Sequence, residues 1–383
     1  MTNKPLRVLS IFGTRPEAVK MAPVVHALRK NPAIESMVCV TAQHRQMLDQ
    51  ILTLFNIQPD YDLDLMQPNQ SLATLTAGIF TDLDPVLKKI KPDWILVQGD
   101  TTTVMVSALL AYYNQIKIGH VEAGLRTFDK WQPFPEEINR RVAGVVADLH
   151  FAPTQWSKNN LLKEGVPEWR IAVTGNPVID ALYTIKERPA PQEIDELLMR
   201  AGVNTPKKKK LILITAHRRE NFGEPLENIC TAFKKLADKY HEQICFFYPV
   251  HLNPNVQEPV HRLLDGIDNI FLLPPMDYLP LIHLMKHATL VLTDSGGIQE
   301  EATALGIPTL VLRNVTERPE GVEAGVLKLV GTDIDLIVNT CTHLLEDQIA
   351  YQQMAKAQNP FGDGNAAERI IETLLAYKEP HDA

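Results

Sequence analysis

The chain has 383 residues, 45% hydrophobic and 22% charged, with a formal net charge of −8. That length suits two ordinary domains, and the acidic balance argues against a general nucleic-acid binder, because neutralising phosphates takes a basic surface. No run reaches the roughly 18 consecutive apolar residues of a membrane span, and MTNKPLRVLSIFG turns into a glycine loop before it could form a signal-peptide core, so a cytoplasmic protein without membrane contact is expected.

Short β-branched runs alternate with longer amphipathic stretches. LRVLSIF reads as a strand, EAVKMAPVVHALRK as a helix, SMVCVTA as a strand and RQMLDQILTLF as a helix. DWILVQGD, KIGHVEA, LHFAPT and IAVTG continue the strands, with the helix TVMVSALLAYY among them. The pattern predicts βαβ units and parallel sheets with right-handed crossovers. A break follows: ERPAPQE is proline-rich, EIDELLMRAG is a candidate helix, and TPKKKK is basic, with Lys207 to Lys210 read as a solvated linker. The alternation restarts with KLILITAH, ICFFYPVH, NIFLLPP, TLVLTDSGG and PTLVLRN, and ends in the helix AAERIIETLLAYK. Two doubly wound α/β domains are therefore expected, residues 1–175 and 176–383, facing each other across a cleft. The terminal helix is free to pack on either. The cysteines, Cys39, Cys230, Cys245 and Cys341, form no C-x-x-C pair and read as buried free thiols.

In open parallel sheets ligands bind beyond the carboxyl ends of the strands, and the unusual residues lie there. After LSIF comes Gly13-Thr14-Arg15-Pro16-Glu17, with Lys20 a turn later. This is either a plain capped helix or a helix N-terminus whose Arg15 and Lys20 attract a diphosphate. It is not a G-x-G-x-x-G fingerprint, which argues against a dinucleotide. After TLVLT comes Asp294-Ser295-Gly296-Gly297, whose glycines let backbone N–H groups approach an anion, followed by Glu300 and Glu301. One of these acids either offsets the helix dipole or binds a ribose diol. Arg318 follows the next strand on the same side of the sheet.

Three carboxylates stand near strand ends, each with a structural alternative. Asp100 could cap the helix that begins at the threonines, Glu122 could pair with Arg126, and Glu136 could serve a helix dipole. Three acids meeting in one cleft would instead suit proton transfer. His217 ends another strand, beside Arg218 and Arg219, and is placed to bind phosphate or pass a proton. No H-E-x-x-H, zinc-spaced Cys/His pair or G-x-S-x-G occurs, so neither a protein-held metal nor a serine hydrolase is expected.

GTRPE, QGDTTT, HVEAGLRT, PFPEEINR, TAHRRENFG, DSGGIQEE, TERPEG and FGDGNAAERI occur in order along almost the whole chain. Together they resemble the bacterial non-hydrolysing UDP-N-acetylglucosamine 2-epimerases. The resemblance implies two Rossmann-like domains in a GT-B-like arrangement, a homodimer, no cofactor, and UDP-N-acetylglucosamine and UDP-N-acetylmannosamine as ligands. Asp100, Glu122, Glu136 and His217 fall on the family's catalytic positions. Arg15, Lys20, Met276, Leu281, Ser295, Gly296, Gly297, Glu301 and Arg318 fall on its UDP-sugar contacts. Gln43, Gln46, Glu136, Arg218 and His251 match a second, regulatory site, where Asn69 stands in place of an expected arginine. A hydrolysing epimerase or a GT-B glycosyltransferase are the alternatives.

Overall fold

The structure, a computed structural model, describes residues 4–42, 45–65, 70–206 and 208–378. The chain divides into two compact units, residues 1–181 with 361–383, and residues 182–360. The first division therefore falls after Ala181, beyond the expected residue 175, and the terminal helix belongs with the first unit.

The first unit contains β1 (Leu6–Phe12), α1 (Arg15–Lys30), β2 (Ile34–Val40), α2 (Arg45–Leu54), β3 (Tyr61–Asp62), α3 (Leu72–Ile90), β4 (Trp94–Gln98) and α4 (Thr102–Tyr113). It continues through β5 (Lys117–Val121), α5 (Glu136–Val146), β6 (Leu149–Ala152), α6 (Gln155–Lys163), β7 (Ile171–Val173) and α7 (Pro177–Lys186), along which the chain crosses into the second unit. The seven strands are parallel, in the order β3-β2-β1-β4-β5-β6-β7. A parallel strand covered on both faces needs a near-continuous apolar run, and β4, WILVQ, is buried throughout. Leu9, Ile11, Ile95 and Val97 pack with Ile79 and Leu83 of α3 and Val104 and Ala108 of α4. Each of the valine, leucine and isoleucine side chains contributes about 1.5–3 kcal/mol of transfer free energy.

The second unit contains α8 (Gln192–Arg200), β8 (Lys210–Thr215), α9 (Glu224–Lys239), β9 (Ile244–Pro249), α10 (Pro254–Leu264), β10 (Ile270–Leu273) and α11 (Tyr278–Lys286). Then come β11 (Ala288–Thr293), α12 (Gly296–Ala304), β12 (Thr309–Val311), α13 (Pro319–Glu323), β13 (Leu327–Leu329), α14 (Ile334–Glu346) and α15 (Gln348–Ala355). Its six parallel strands run β10-β9-β8-β11-β12-β13. Ile212, Ile214, Phe246, Tyr248, Leu290 and Leu292 pack with Phe233 and Leu236 of α9. The chain closes with α16 (Ala366–Ala376), which lies against α1 and buries Ile370, Ile371 and Leu374.

Both sheets reverse strand order once, at β1/β4 and at β8/β11. Connections leave such neighbours in opposite directions, which opens a crevice at their carboxyl ends. Two strands escaped the sequence pattern, β3 and β13. Each is two or three residues long and lies at a sheet edge, too short to show a period. In the basic run, Lys209 and Lys210 reach the carbonyls of His241 and Leu345 near helix C-termini, where a cation is favoured; Lys207 lies outside the described residues. All four cysteines are free and buried, and burial pushes their thiols up to about 12. Among the described residues, no helix is long and apolar enough to cross a membrane.

Candidate active site

In the first unit the turn after β1 is built on close approach. A Cβ on Gly13 would lie 1.9 Å from the Thr41 hydroxyl oxygen and 2.9 Å from that of Thr103, so only glycine fits. Arg15 opens α1 and is half-buried. Glu17 folds back over the turn: one oxygen accepts from the backbone N–H of Gly13 (3.1 Å) and Thr14 (2.8 Å), the other from the Thr101 hydroxyl (2.8 Å). This carboxylate ties the β1 turn to the β4 turn. Burial pushes its pKa up, against the pull of those donors.

Glu122 stands just past β5 with φ +60°, a left-handed conformation that costs a non-glycine residue energy and clusters at functional positions. Its carboxylate is buried. Lys20 Nζ lies 2.5 Å from Oε1, Asn176 Nδ2 donates to the same oxygen at 2.7 Å, and Gln98 Nε2 donates to Oε2. Lys20, expected to meet a diphosphate, is thus itself buried against the carboxylate. The alternative pairing with Arg126 does not form. Arg126 makes a bidentate pair with Glu164 at 2.8 and 2.7 Å. The i,i+4 rule holds on a helix, and Glu122 begins a turn instead.

Asp100 does not cap α4; Thr101 does, its hydroxyl accepting from Val104 N at 3.3 Å. The Asp100 carboxylate pairs with Arg140, and its carbonyl accepts from Asn139 Nδ2 at 3.0 Å. Arg140 is also 3.3 Å from Glu137, which is wholly buried and accepts from the N–H groups of Thr127 and Phe128. Glu136 is half-buried at the first residue of α5, where a carboxylate also meets the helix dipole. Next to Glu122, His120 donates from Nε2 to the Gly99 carbonyl at 2.7 Å, and burial drives its pKa down to about 4.

In the second unit Asp294, fully buried after β11, organises the crevice. Its Oδ2 accepts from the backbone N–H of His217 and Arg218, both at 2.8 Å, and from Asn221 Nδ2 at 3.0 Å. The His217 ring stacks on His251, centroids 5.3 Å apart and planes 12° apart. Burial lowers the His217 pKa, although Asp294, 3.8 Å away, opposes this. The Ser295-Gly296-Gly297 turn leads into α12. A Cβ on Gly296 would come within 2.6 Å of Arg318 Nη1, so the glycine admits the guanidinium to the helix N-terminus. Arg318 is buried and held by Glu300 at 2.5 Å. Glu317 lies 3.7 Å from Arg318 and 2.9 Å from Arg313; burial opposes its charge, but the two arginines hold its pKa down at about 2. Glu301 accepts from the Tyr278 hydroxyl at 2.6 Å. Met276 and Leu281, both half-buried, flank that tyrosine in sequence.

The structure thus gathers Lys20 and Glu122 into one cluster of the first unit, and Asp100 with Arg140 into another. In the second unit it gathers His217 with His251, and Arg318 with the Gly296 turn. Gln46 is exposed on α2 and Arg218 half-buried beside His217; Gln43 and Asn69 lie outside the described residues. Glu17, Gln98, Glu137, Arg140, Asn176 and Asp294 carry contacts that the sequence reading did not assign. Only Arg140 left a usable trace, since Glu136, Asn139 and Arg140 share a helix face by their i, i+3, i+4 spacing.

Two Rossmann-like units with charged side chains gathered at their strand-order reversals define an α/β protein of the nucleotide-handling class. Comparison with known proteins narrows this. The sequence model of the family described as UDP-N-acetylglucosamine 2-epimerase matches residues 26–375. The UDP-N-acetylglucosamine 2-epimerase of Yersinia pestis is 57% identical over 97% of this chain and 99% of its own length, and that of Escherichia coli K12 is 54% identical over 96% and 98%. The crystal structure of the Neisseria meningitidis UDP-GlcNAc 2-epimerase bound to UDP-GlcNAc superposes with a TM-score of 0.91 at 50% identity, covering 97% of this chain and 100% of that one. The chain belongs to the UDP-N-acetylglucosamine 2-epimerase family.

Proposed function

We propose that this chain interconverts UDP-N-acetylglucosamine and UDP-N-acetylmannosamine without net hydrolysis. The C2 hydrogen of the sugar is not next to a carbonyl, so direct deprotonation is slow. Breaking the C1–O bond first, with the electron pair leaving on UDP, develops positive charge at C1 and acidifies C2. A carboxylate then takes the C2 proton, leaving 2-acetamidoglucal and UDP. Delivery of a proton to the opposite face of C2, with the UDP oxygen bonding again to C1, completes inversion. Proton-handling groups are needed on both faces, and Asp100, Glu122, Glu136 and His217 are assigned that work.

The observation that carries the reading is Glu122: a buried carboxylate in left-handed conformation, held at both oxygens by Lys20, Asn176 and Gln98. Fixed donors hold both oxygens in place and aim the carboxylate, as a base requires. UDP binding is assigned to Arg15, the Ser295-Gly296-Gly297 turn, Glu301 and Arg318, with Met276 and Leu281 near the base. An arginine at a helix N-terminus stabilises charge developing on a departing diphosphate. Lys20 acts through Glu122 as well as on phosphate. A second bound UDP-N-acetylglucosamine, met by Gln46, Glu136, Arg218 and His251, is assigned a regulatory role. A homodimer is also proposed, supported by Ile138 and Val145 of α5 and Tyr112 and Tyr113 of α4, which are large and exposed.

Incubation with UDP-N-acetylglucosamine in deuterated water with EDTA, followed by NMR, tests the chemistry. The expected product is a mixture of both UDP-sugars with deuterium at C2. Free sugar as the main product would identify a hydrolysing enzyme, and no exchange at C2 would overturn both.

A further inference from the structure

The late motif FGDGNAAERI takes no part in the chemistry above, yet it packs against Asn176, a residue that contacts Glu122. Asn176, fully buried, donates from Nδ2 to Glu122 Oε1 at 2.7 Å. Its Oδ1 accepts from Val178 N at 3.3 Å, which orients the amide so that the NH₂ side faces the carboxylate. The Asn176 backbone N–H donates to the Phe361 carbonyl at 2.7 Å. We propose that Asn176 is a positioning residue for Glu122, and that Phe361–Gly362 is the backstop that sets Asn176 in place.

The backstop is a close crossing of two backbones. A Cβ on Gly362, whose φ is +140°, would lie 3.3 Å from Asn176 N and 3.4 Å from Gly175 Cα. A Cβ on Gly175, φ +85°, would lie 3.2 Å from Gly362 Cα. Both glycines thus sit in backbone conformations that favour glycine, and a methyl group at either would press the neighbouring backbone by a few tenths of an ångström. The crossing is fastened on either side. The Asp180 carboxylate accepts from Ala366 N (3.2 Å) and Ala367 N (2.9 Å), capping α16 from α7. Arg369 donates to the Thr174 carbonyl at 3.1 Å and grips Asp363 at 2.8 and 2.7 Å. Thr174 to Asp180 and Phe361 to Arg369 thus form one clamp, which reaches Glu122 through the Asn176 amide. A neutral N–H donor to a carboxylate favours its ionised form, and a misplacement of about 1 Å in a reacting group slows chemistry by up to about 100-fold.

The inference rests on Glu122 acting on the C2 proton, and the test separates the two. Asn176→Ala, Asn176→Ser and Gly362→Ala are compared with the parent chain and Glu122→Gln. The readouts are kcat and KM for epimerisation, the pH dependence of each, and the carbon-13 titration of the Glu122 carboxyl, assigned by its absence in Glu122→Gln. The expected result in all three variants is a Glu122 titration raised by about one pH unit. With it, kcat falls by about 100-fold, KM stays near the parent value, and activity recovers partly at higher pH. A folded Asn176→Ser chain with an unmoved titration overturns the proposal, whether or not its activity drops, since a lower rate alone would then be structural. Gly362→Ala, which keeps every polar group of the cluster, decides the matter if the Asn176 variants do not fold. If Glu122→Gln retains C2 exchange, the reading of Glu122 as base falls, while the titration still decides what Asn176 does.

Discussion

Replacing Glu122 by glutamine tests both the energetics and the chemistry of the first unit. Glu122 and Lys20 are 6% and 9% exposed and lie 2.5 Å apart. Removing one partner of a buried pair leaves the other charge uncompensated, which costs about 3 kcal/mol. For a unit of this size that is a fall in Tm of about 6–12 °C. Lys20→Met should cost less, about 2 kcal/mol, because Gln98 and Asn176 still donate to the carboxylate. The double variant Lys20→Met/Glu122→Gln removes both charges and should be no less stable than Glu122→Gln alone, a coupling of about 2 kcal/mol. Urea unfolding followed by tryptophan fluorescence reads the right unit, since Trp94, Trp131, Trp156 and Trp169 all belong to it. Exchange at C2 should vanish in both chains that carry glutamine, whatever their stability. Losses that add to within about 0.5 kcal/mol would refute the buried-pair account. Full exchange in a stable Glu122→Gln chain would refute the assignment of the base.

Three further outcomes are expected, two from the geometry and one from the proposed second site. Burial drives His120 and His150 down to about 4 and about 3, so both rings are neutral in the folded chain while the unfolded chain takes up protons below about pH 6.5. Stability is therefore lost as pH falls from about 6.5 toward those values, by about 2 kcal/mol per ring at pH 5. The urea midpoint of the parent should drop between pH 7 and pH 5, and His150→Leu should flatten that drop by about half; an unchanged slope would contradict the account. Gly296→Ala places a methyl group 2.6 Å from Arg318 Nη1, so calorimetry should show UDP affinity weakened by about tenfold or more in a chain that still folds, and undiminished affinity would remove Arg318 from the UDP site. UDP-N-acetylmannosamine alone should turn over poorly until UDP-N-acetylglucosamine is added, and Arg218→Ala should abolish that stimulation; full-rate turnover of the product alone would dispense with the second site.

The α/β class was readable from the chain because it depends on local period and composition. Runs such as ILVQ and LILIT are apolar enough for a strand covered on both faces, and the stretches between them repeat as helices do. Glycine-bearing strand ends marked the tight turns that border the crevices, since few residues other than glycine accept them. The positions of Asp100, Glu122, Glu136 and His217 came from the order of eight motifs; residue type alone left each with a structural alternative. What the tertiary structure decided is which groups those side chains meet. Glu122 meets Lys20 and Asn176, which are 102 and 54 residues away in sequence, rather than Arg126 on the next turn. Asp100 meets Arg140 across 40 residues, and His217 meets Asp294 across 77. Such partners carry no local period, because parallel strands joined by crossover helices bring distant strand ends side by side. The chain's pattern determines that a crevice forms at each strand-order reversal; only the packed sheet determines which charges face one another in it.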